Sequence, residues 1–178
     1  MRVITGISRG IRLKTPDNLN TRPTSEKVKE AVFSALQFEI EGRRVLDLFA
    51  GSGQMGIEAL SRGAKICVFV DSSQEAVKIV EENLKKTGLS IKARVVKTDS
   101  TAFLNMTGDI YDIVFLDPPY NTGLLEKSLE KIGCLLATGG AVVCEHPFGA
   151  VLPPEINSLV KDREYKYGKI AVTIYRKE

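Results

Sequence analysis

The chain has 178 residues, 43% of them hydrophobic and 26% charged, with a net charge of +3. That is ordinary globular composition, enough for one well-buried core in a single domain, and no apolar run approaches the roughly 18–20 residues that cross a bilayer. The opening MRVITGISRG lacks the apolar stretch of a secretory signal, so a soluble cytoplasmic protein is expected. Cys67, Cys134 and Cys144 have no C-x-x-C spacing, and His146 is the only histidine, so a zinc site is not expected. Cys67 and Cys144 lie inside apolar runs and read as small buried hydrophobes.

Taken in chain order, residues 2–14 (RVITGISRGIRLK) mix β-branched residues with Gly6 and Gly10 and suggest a short β-ribbon. The positive charge concentrates here: Arg2, Arg9, Arg12, Lys14 and Arg22 face one acid, Asp17. Arg9 and Arg12 are candidate phosphate contacts, and a solvated face is the alternative. TPDNLN is turn chemistry. Thr24 or Ser25 is a candidate N-cap for a helix in EKVKEAVFSAL, whose apolar residues recur at helical spacing. Residues 1–40 therefore read as an extension and residues 41–178 as the core.

From residue 44 apolar strands alternate with helices. RVLDLF, KICVFVD, ARVVKTD, YDIVFLD and GAVVCEH read as strands, with helices in MGIEALSR and SQEAVKIVEENLKKTG. Strands apolar on both faces indicate an α/β fold with a mostly parallel sheet covered on both sides. EYKYGKIAVTIYRK alternates around Gly168 and reads as a closing antiparallel hairpin.

The first strand runs into GSGQMG, a G-x-G-x-x-G pattern at Gly51, Gly53 and Gly56, and the next strand ends at Asp71. An acid about 20 residues past such a turn can accept hydrogen bonds from ribose hydroxyls. A nicotinamide dinucleotide is the obvious ligand, but Asp47 just upstream would be awkward beside a pyrophosphate. It suits an ammonium or sulfonium instead, and no proton relay for hydride transfer is apparent. S-adenosylmethionine (SAM) offers adenosine to Asp71 and a cationic methionine end to Asp47. Asp99 could accept from the adenine amine, or be a plain loop acid.

"VLDLFAGSGQMGIEAL" followed by "DIVFLDPPY" is similar to class I SAM-dependent methyltransferases that act on exocyclic amines. Together with "TRPTSEKVKEAVFSAL" and "CEHP", in this order, the whole chain resembles the RsmD family, methyltransferases of a guanine N2 in 16S rRNA of the bacterial small ribosomal subunit. The resemblance implies a Rossmann-like sheet of seven strands with the last antiparallel, Asp71 on the cofactor ribose and Asp99 near its adenine. It also implies Asp47, Gly51 and Gly53 along the methionine side, and 16S rRNA, alone or in the assembling subunit, as partner of a monomer.

In DPPY, Asp117 and the Pro118 carbonyl can accept the two hydrogens of an amine, with Asp117 also bordering the cofactor. Tyr120 can stack on the base. A turn leading into a helix, with an incidental tyrosine, is the structural alternative. His146 reads either as a groove residue or as a satisfied loop histidine. Arg22 and Thr24 read as contacts to the methionine carboxylate or RNA backbone, or as helix capping. A DNA adenine-N6 methyltransferase and a non-catalytic SAM- or RNA-binding module are the competing functions.

Overall fold

The computed structural model describes residues 1–16 and 26–178. Arg22, Thr24 and Ser25, with the capping and binding expectations placed on them, lie outside the described residues. The elements are α1 (Glu26–Ala35), β1 (Arg44–Asp47), α2 (Gln54–Ser61), β2 (Ile66–Asp71), α3 (Gln74–Thr87), β3 (Ala93–Lys97) and α4 (Ser100–Met106). They continue with β4 (Tyr111–Leu116), α5 (Leu124–Ile132), β5 (Leu136–Pro147), β6 (Glu155–Ile156), β7 (Leu159–Tyr167) and β8 (Ile170–Lys177).

One eight-stranded sheet runs in the order β3-β2-β1-β4-β5-β8-β7-β6. The pairs from β3 through β5 are parallel, and the last strand, β8, lies antiparallel between β5 and β7. Seven strands match the expected sheet, and the two-residue β6 adds an eighth at the edge.

Alternation along each strand divides the core in two. Val45, Phe69, Ile113, Phe115 and Val143 pack beneath Val32 and Phe33 of α1, Ile57 of α2 and Val80 of α3. Their neighbours Leu46, Val68, Val70, Val114 and Val142 face the other way, onto Phe103 of α4 and Leu125 and Leu129 of α5. Period-two burial on both faces is why these strands read as unbroken apolar runs. Among the described residues, no helix is long and apolar enough to cross a membrane.

The expected amino-terminal ribbon is present and short: Arg2 and Arg12 form an antiparallel bridge, and the amides of Val3, Gly10 and Leu13 donate to the carbonyls of Ile11, Val3 and Met1 at 2.9, 2.8 and 3.1 Å. Other backbone groups of the arm bond to the helices. Glu58 of α2 accepts from the Ile4 and Thr5 amides at 2.8 and 3.0 Å, and the Ile7 amide donates to the Ser61 carbonyl at 2.9 Å. The Glu58 carboxylate is fully buried with Lys29 Nζ at 3.2 Å and Arg62 Nε at 2.9 Å, and Lys29 also donates to the Arg2 carbonyl at 2.6 Å. Burial pushes the Lys29 ammonium below its ordinary range, against the opposing pull of Glu58. Buried Asn83 of α3 closes the arm's far end: it accepts from the Lys14 amide at 2.8 Å and donates to the carbonyls of Lys14 and Ser52, each at 2.9 Å.

Candidate active site

Strand register sets four aspartates along one edge of the sheet. Asp47 ends β1 opposite Phe69 of β2 and Phe115 of β4. Asp71 therefore emerges two residues further along one neighbour and Asp117 two residues further along the other. Asp71 pairs with Lys97 of β3, and Asp99 follows two residues later. Strands lie about 4.8 Å apart, so Asp71 and Asp117 flank β1 across roughly 10 Å. This edge, where the chain order reverses between β1 and β4, is where open α/β sheets bind ligands.

The glycine loop fills the space above β1, and its glycines have different work. Gly51, with φ +53, has nothing within 4 Å of where a Cβ would stand, which leaves its backbone open to a ligand. Gly53 begins α2 in the left-handed conformation, φ 75. A Cβ on Gly56 would lie 2.3 Å from the Phe69 ring and 2.6 Å from Cys67 Sγ, so this glycine lets α2 sit close on β2.

Asp47 is 4% exposed and accepts the Gly56 N–H at 3.0 Å. Burial pushes its carboxyl up to about 7, against the pull of that N–H and with the Asp71 charge adding to the rise. Asp71 Oδ2 accepts from the Gly51 amide at 2.9 Å and its Oδ1 from the Ser73 amide at 2.8 Å. The 20-residue interval seen in the sequence is thus closed by a hydrogen bond, and each carboxylate oxygen keeps a second lone pair for a ligand hydroxyl. Asp99 is the N-cap of α4, with Oδ1 accepting from Thr101 and Ala102 at 2.9 and 3.1 Å.

Beyond β4, Asp117 is half-buried, Pro118 buried and Pro119 exposed. The Pro119 carbonyl accepts from Thr122 Oγ1 at 2.7 Å, which fixes the turn into α5. Tyr120 is 42% exposed, and its hydroxyl reaches Glu145 Oε1 of β5 at 3.3 Å. The ring is therefore presented at the surface but tethered at its far end. A groove opens between Pro118–Gly123 and the end of β5, with Glu145, His146, Pro147 and Leu152 in its wall. His146 is 2% exposed and both its ring nitrogens are engaged, Nδ1 by the Pro147 carbonyl at 3.1 Å and Nε2 by Thr173 Oγ1 at 2.8 Å. It borders the groove as a buried, satisfied side chain rather than a loop residue.

Arg9 and Arg12 are exposed on the arm and make no ion pair among the described residues. The pattern of the sequence missed Glu145, Asn83, Glu58 and Lys29. Only Glu145 had a signal, its place beside His146 at a strand end. No cluster of potential metal ligands occurs among the described residues. Burial raises the thiols of Cys67 and Cys144, as suits apolar packing.

The donor set suits SAM. There are carboxylate lone pairs for ribose hydroxyls at Asp71, a half-buried loop backbone at Gly51 with open space where a side chain would stand, and a buried acid at Asp47 that a cation would neutralise. Fold and site together define a methyltransferase of the Rossmann-like class. Residues 1–176 match the family described as "Conserved hypothetical protein 95", and the chain belongs to it; this is the RsmD family whose motifs the sequence carries. Among its relatives, "Ribosomal RNA small subunit methyltransferase D" of Escherichia coli (strain K12) is 34% identical over 182 residues, covering 100% of this chain and 90% of that protein. YlbH of Bacillus subtilis (strain 168), provisionally named an rRNA methyltransferase, is 41% identical over 99% of both chains. The solved structure of Escherichia coli yhhF, provisionally titled a methyltransferase, superposes with a TM-score of 0.88 at 32% identity, over 100% of this chain and 98% of that one.

Proposed function

We propose that this protein transfers a methyl group from SAM to the exocyclic N2 of one guanine in small-subunit ribosomal RNA. The observation that carries the reading is the common edge of Asp71, Asp47 and Asp117, which sets a nucleoside-binding half beside an amine-binding half. The relatives' names supply the RNA class. In this reading residues 41–178 form the catalytic core and the arm of residues 1–40 is carried against it.

When bound, SAM supplies an electrophilic methyl on a sulfonium. The protein's own residues do the rest by position and charge. Asp71 holds the ribose hydroxyls, Asp99 is placed toward the adenine, and Gly51 and Gly53 let the backbone approach. The ionised Asp47 favours the cationic end. Asp117 and the Pro118 carbonyl accept hydrogen bonds from the two N2 hydrogens, which draws the nitrogen lone pair out of conjugation and aims it along one direction. The N2 proton made acidic as the methyl leaves sulfur for nitrogen would pass by way of Asp117 to solvent. The prolines hold those acceptors in place, and Tyr120, anchored through Glu145, sets the plane of the base. The guanine leaves its stack to enter the groove, a small cost for an unpaired loop nucleotide. In this reading Arg9 and Arg12 meet the RNA, the role that the sequence also offers Arg22 and Thr24, and His146 supports the groove wall. The protein acts as a monomer without a metal.

Incubation with methyl-labelled SAM and undermethylated small subunits tests the proposal. One guanine should be labelled, and Asp117→Ala should abolish turnover while SAM affinity is retained. Label found only in DNA would replace this reading with the adenine-N6 one. SAM binding without any transfer would reduce the chain to a binding module.

A further inference from the structure

The rim of the groove carries an apolar surface that the transfer itself does not use. Pro147 and Ala150 line the groove, and between them Phe148 turns outward, 52% exposed. Ala150 and Val151, two and three residues on, are exposed as well, and an apolar patch on the rim of a groove, unlike a lone exposed side chain, marks an interaction surface. Its position is fixed rather than casual. The Phe148 N–H donates to the Lys169 carbonyl at 2.9 Å, and the Ala150 N–H closes a turn on the Pro147 carbonyl at 3.1 Å. Lys166 Nζ stands 4.6 Å from the centre of the Phe148 ring. Neither Lys166 nor Lys169 forms an ion pair among the described residues, while nearby Lys161 and Arg163 are committed to Glu164 and Asp162.

An exposed ring with an ammonium over one face and the other face left for a partner matches one chemistry closely, that of an unpaired nucleotide. The base stacks on the ring and the phosphate meets the cation. Phe148 is one Cα step, about 3.8 Å, beyond the groove-lining Pro147. A strand whose base occupies the groove can lay its neighbouring nucleotide over this rim. We infer that Phe148 and Lys166, with Lys169, form a subsite for the single-stranded nucleotide adjacent to the target base, Phe148 stacking on the base and the lysines pairing with the phosphate.

The inference rests on the RNA reading proposed above. The test uses undermethylated small subunits with Phe148→Ala, Phe148→Leu, Phe148→Trp and Lys166→Gln, measured by turnover and by direct binding. Phe148→Ala should raise KM for the subunit about 5- to 150-fold, with kcat and SAM affinity unchanged. Trp should preserve affinity, whereas Leu, equally apolar but without a π face, should behave as Ala. Lys166→Gln should lower the slope of log affinity against log salt by about one. An unchanged KM in Phe148→Ala, or full rescue by Leu, overturns the subsite. If the wild-type protein labels no subunit RNA, the parent reading fails separately. Direct binding then decides the subsite: affinity that depends on Phe148 supports it, and affinity indifferent to Phe148 overturns it.

Discussion

Replacing Asp47 with asparagine keeps the side chain's size and an oxygen able to accept the Gly56 N–H, while removing the charge. The carboxyl moves from an ordinary value of 3.8 to about 7 in the folded protein. Folded protein therefore holds this proton more tightly than unfolded protein does. Its contribution to stability is complete below about pH 4 and declines as pH rises towards 7, then levels off. The full loss is about 4 kcal/mol, of which about 2–3 kcal/mol falls between pH 5 and pH 8. Domain stabilities are only about 5–15 kcal/mol, so the effect is measurable. Urea unfolding of both proteins without cofactor, at pH 5 and pH 8, isolates it. Any fixed cost of the asparagine amide is the same at both pH values. The wild type should lose about 2–3 kcal/mol more than Asp47→Asn on going from pH 5 to pH 8. Parallel loss in the two proteins would refute the idea that burial holds Asp47 in a high-energy charged state ready for a cation.

Other positions give sharp expectations. Glu58→Ala leaves Lys29 buried without its carboxylate and should cost about 3–5 kcal/mol by urea unfolding; cleavage within residues 1–14 by a protease should quicken in parallel. Gly56→Ala drives a methyl into Phe69 and Cys67, and overpacking of about 1–3 kcal/mol should lower Tm by about 2–9 °C in calorimetry. Tyr120→Ala should weaken RNA binding about 5- to 150-fold. Tyr120→Phe keeps the stacking face and loses the Glu145 tether, so its steady-state kinetics should stay nearer the wild type than those of Tyr120→Ala.

Much of the site was legible because it is local or regularly spaced. Asp47, the glycine loop, Asp71 and Asp117 each sit at the end of an apolar strand, and a parallel sheet brings such ends to one edge. The residues that went unseen depend on partners far away in the chain. Glu58 meets Ile4 and Thr5 more than fifty residues upstream, and Asn83 meets Lys14 across 69 residues. Neither contact leaves a periodic trace. The ribbon read from the β-branched residues is present but short, because Gly6 and Gly10, at φ +88 and +83, turn the chain between its two sides. Helix α4 has seven residues and β6 two, too little for periodicity to register, whereas α5, with Leu125, Leu129 and Ile132 buried at helical spacing, was readable and went unread. The N-cap role of Asp99, by contrast, was readable in principle from an acid placed just before a helical stretch.

The staples on the arm also bear on the order in which the chain assembles. Residues 1–14 are synthesised before their anchors at Glu58, Ser61 and Asn83. Closing loops of fifty to seventy residues carries an entropic cost that only a formed α2 and α3 can offset. The arm should therefore dock late, after the sheet beneath those helices exists. Asn83 then ties it to the Ser52 carbonyl, so the last segment to settle also fixes the glycine loop. On the function proposed above, docking of the amino terminus is then the step that completes the cofactor side.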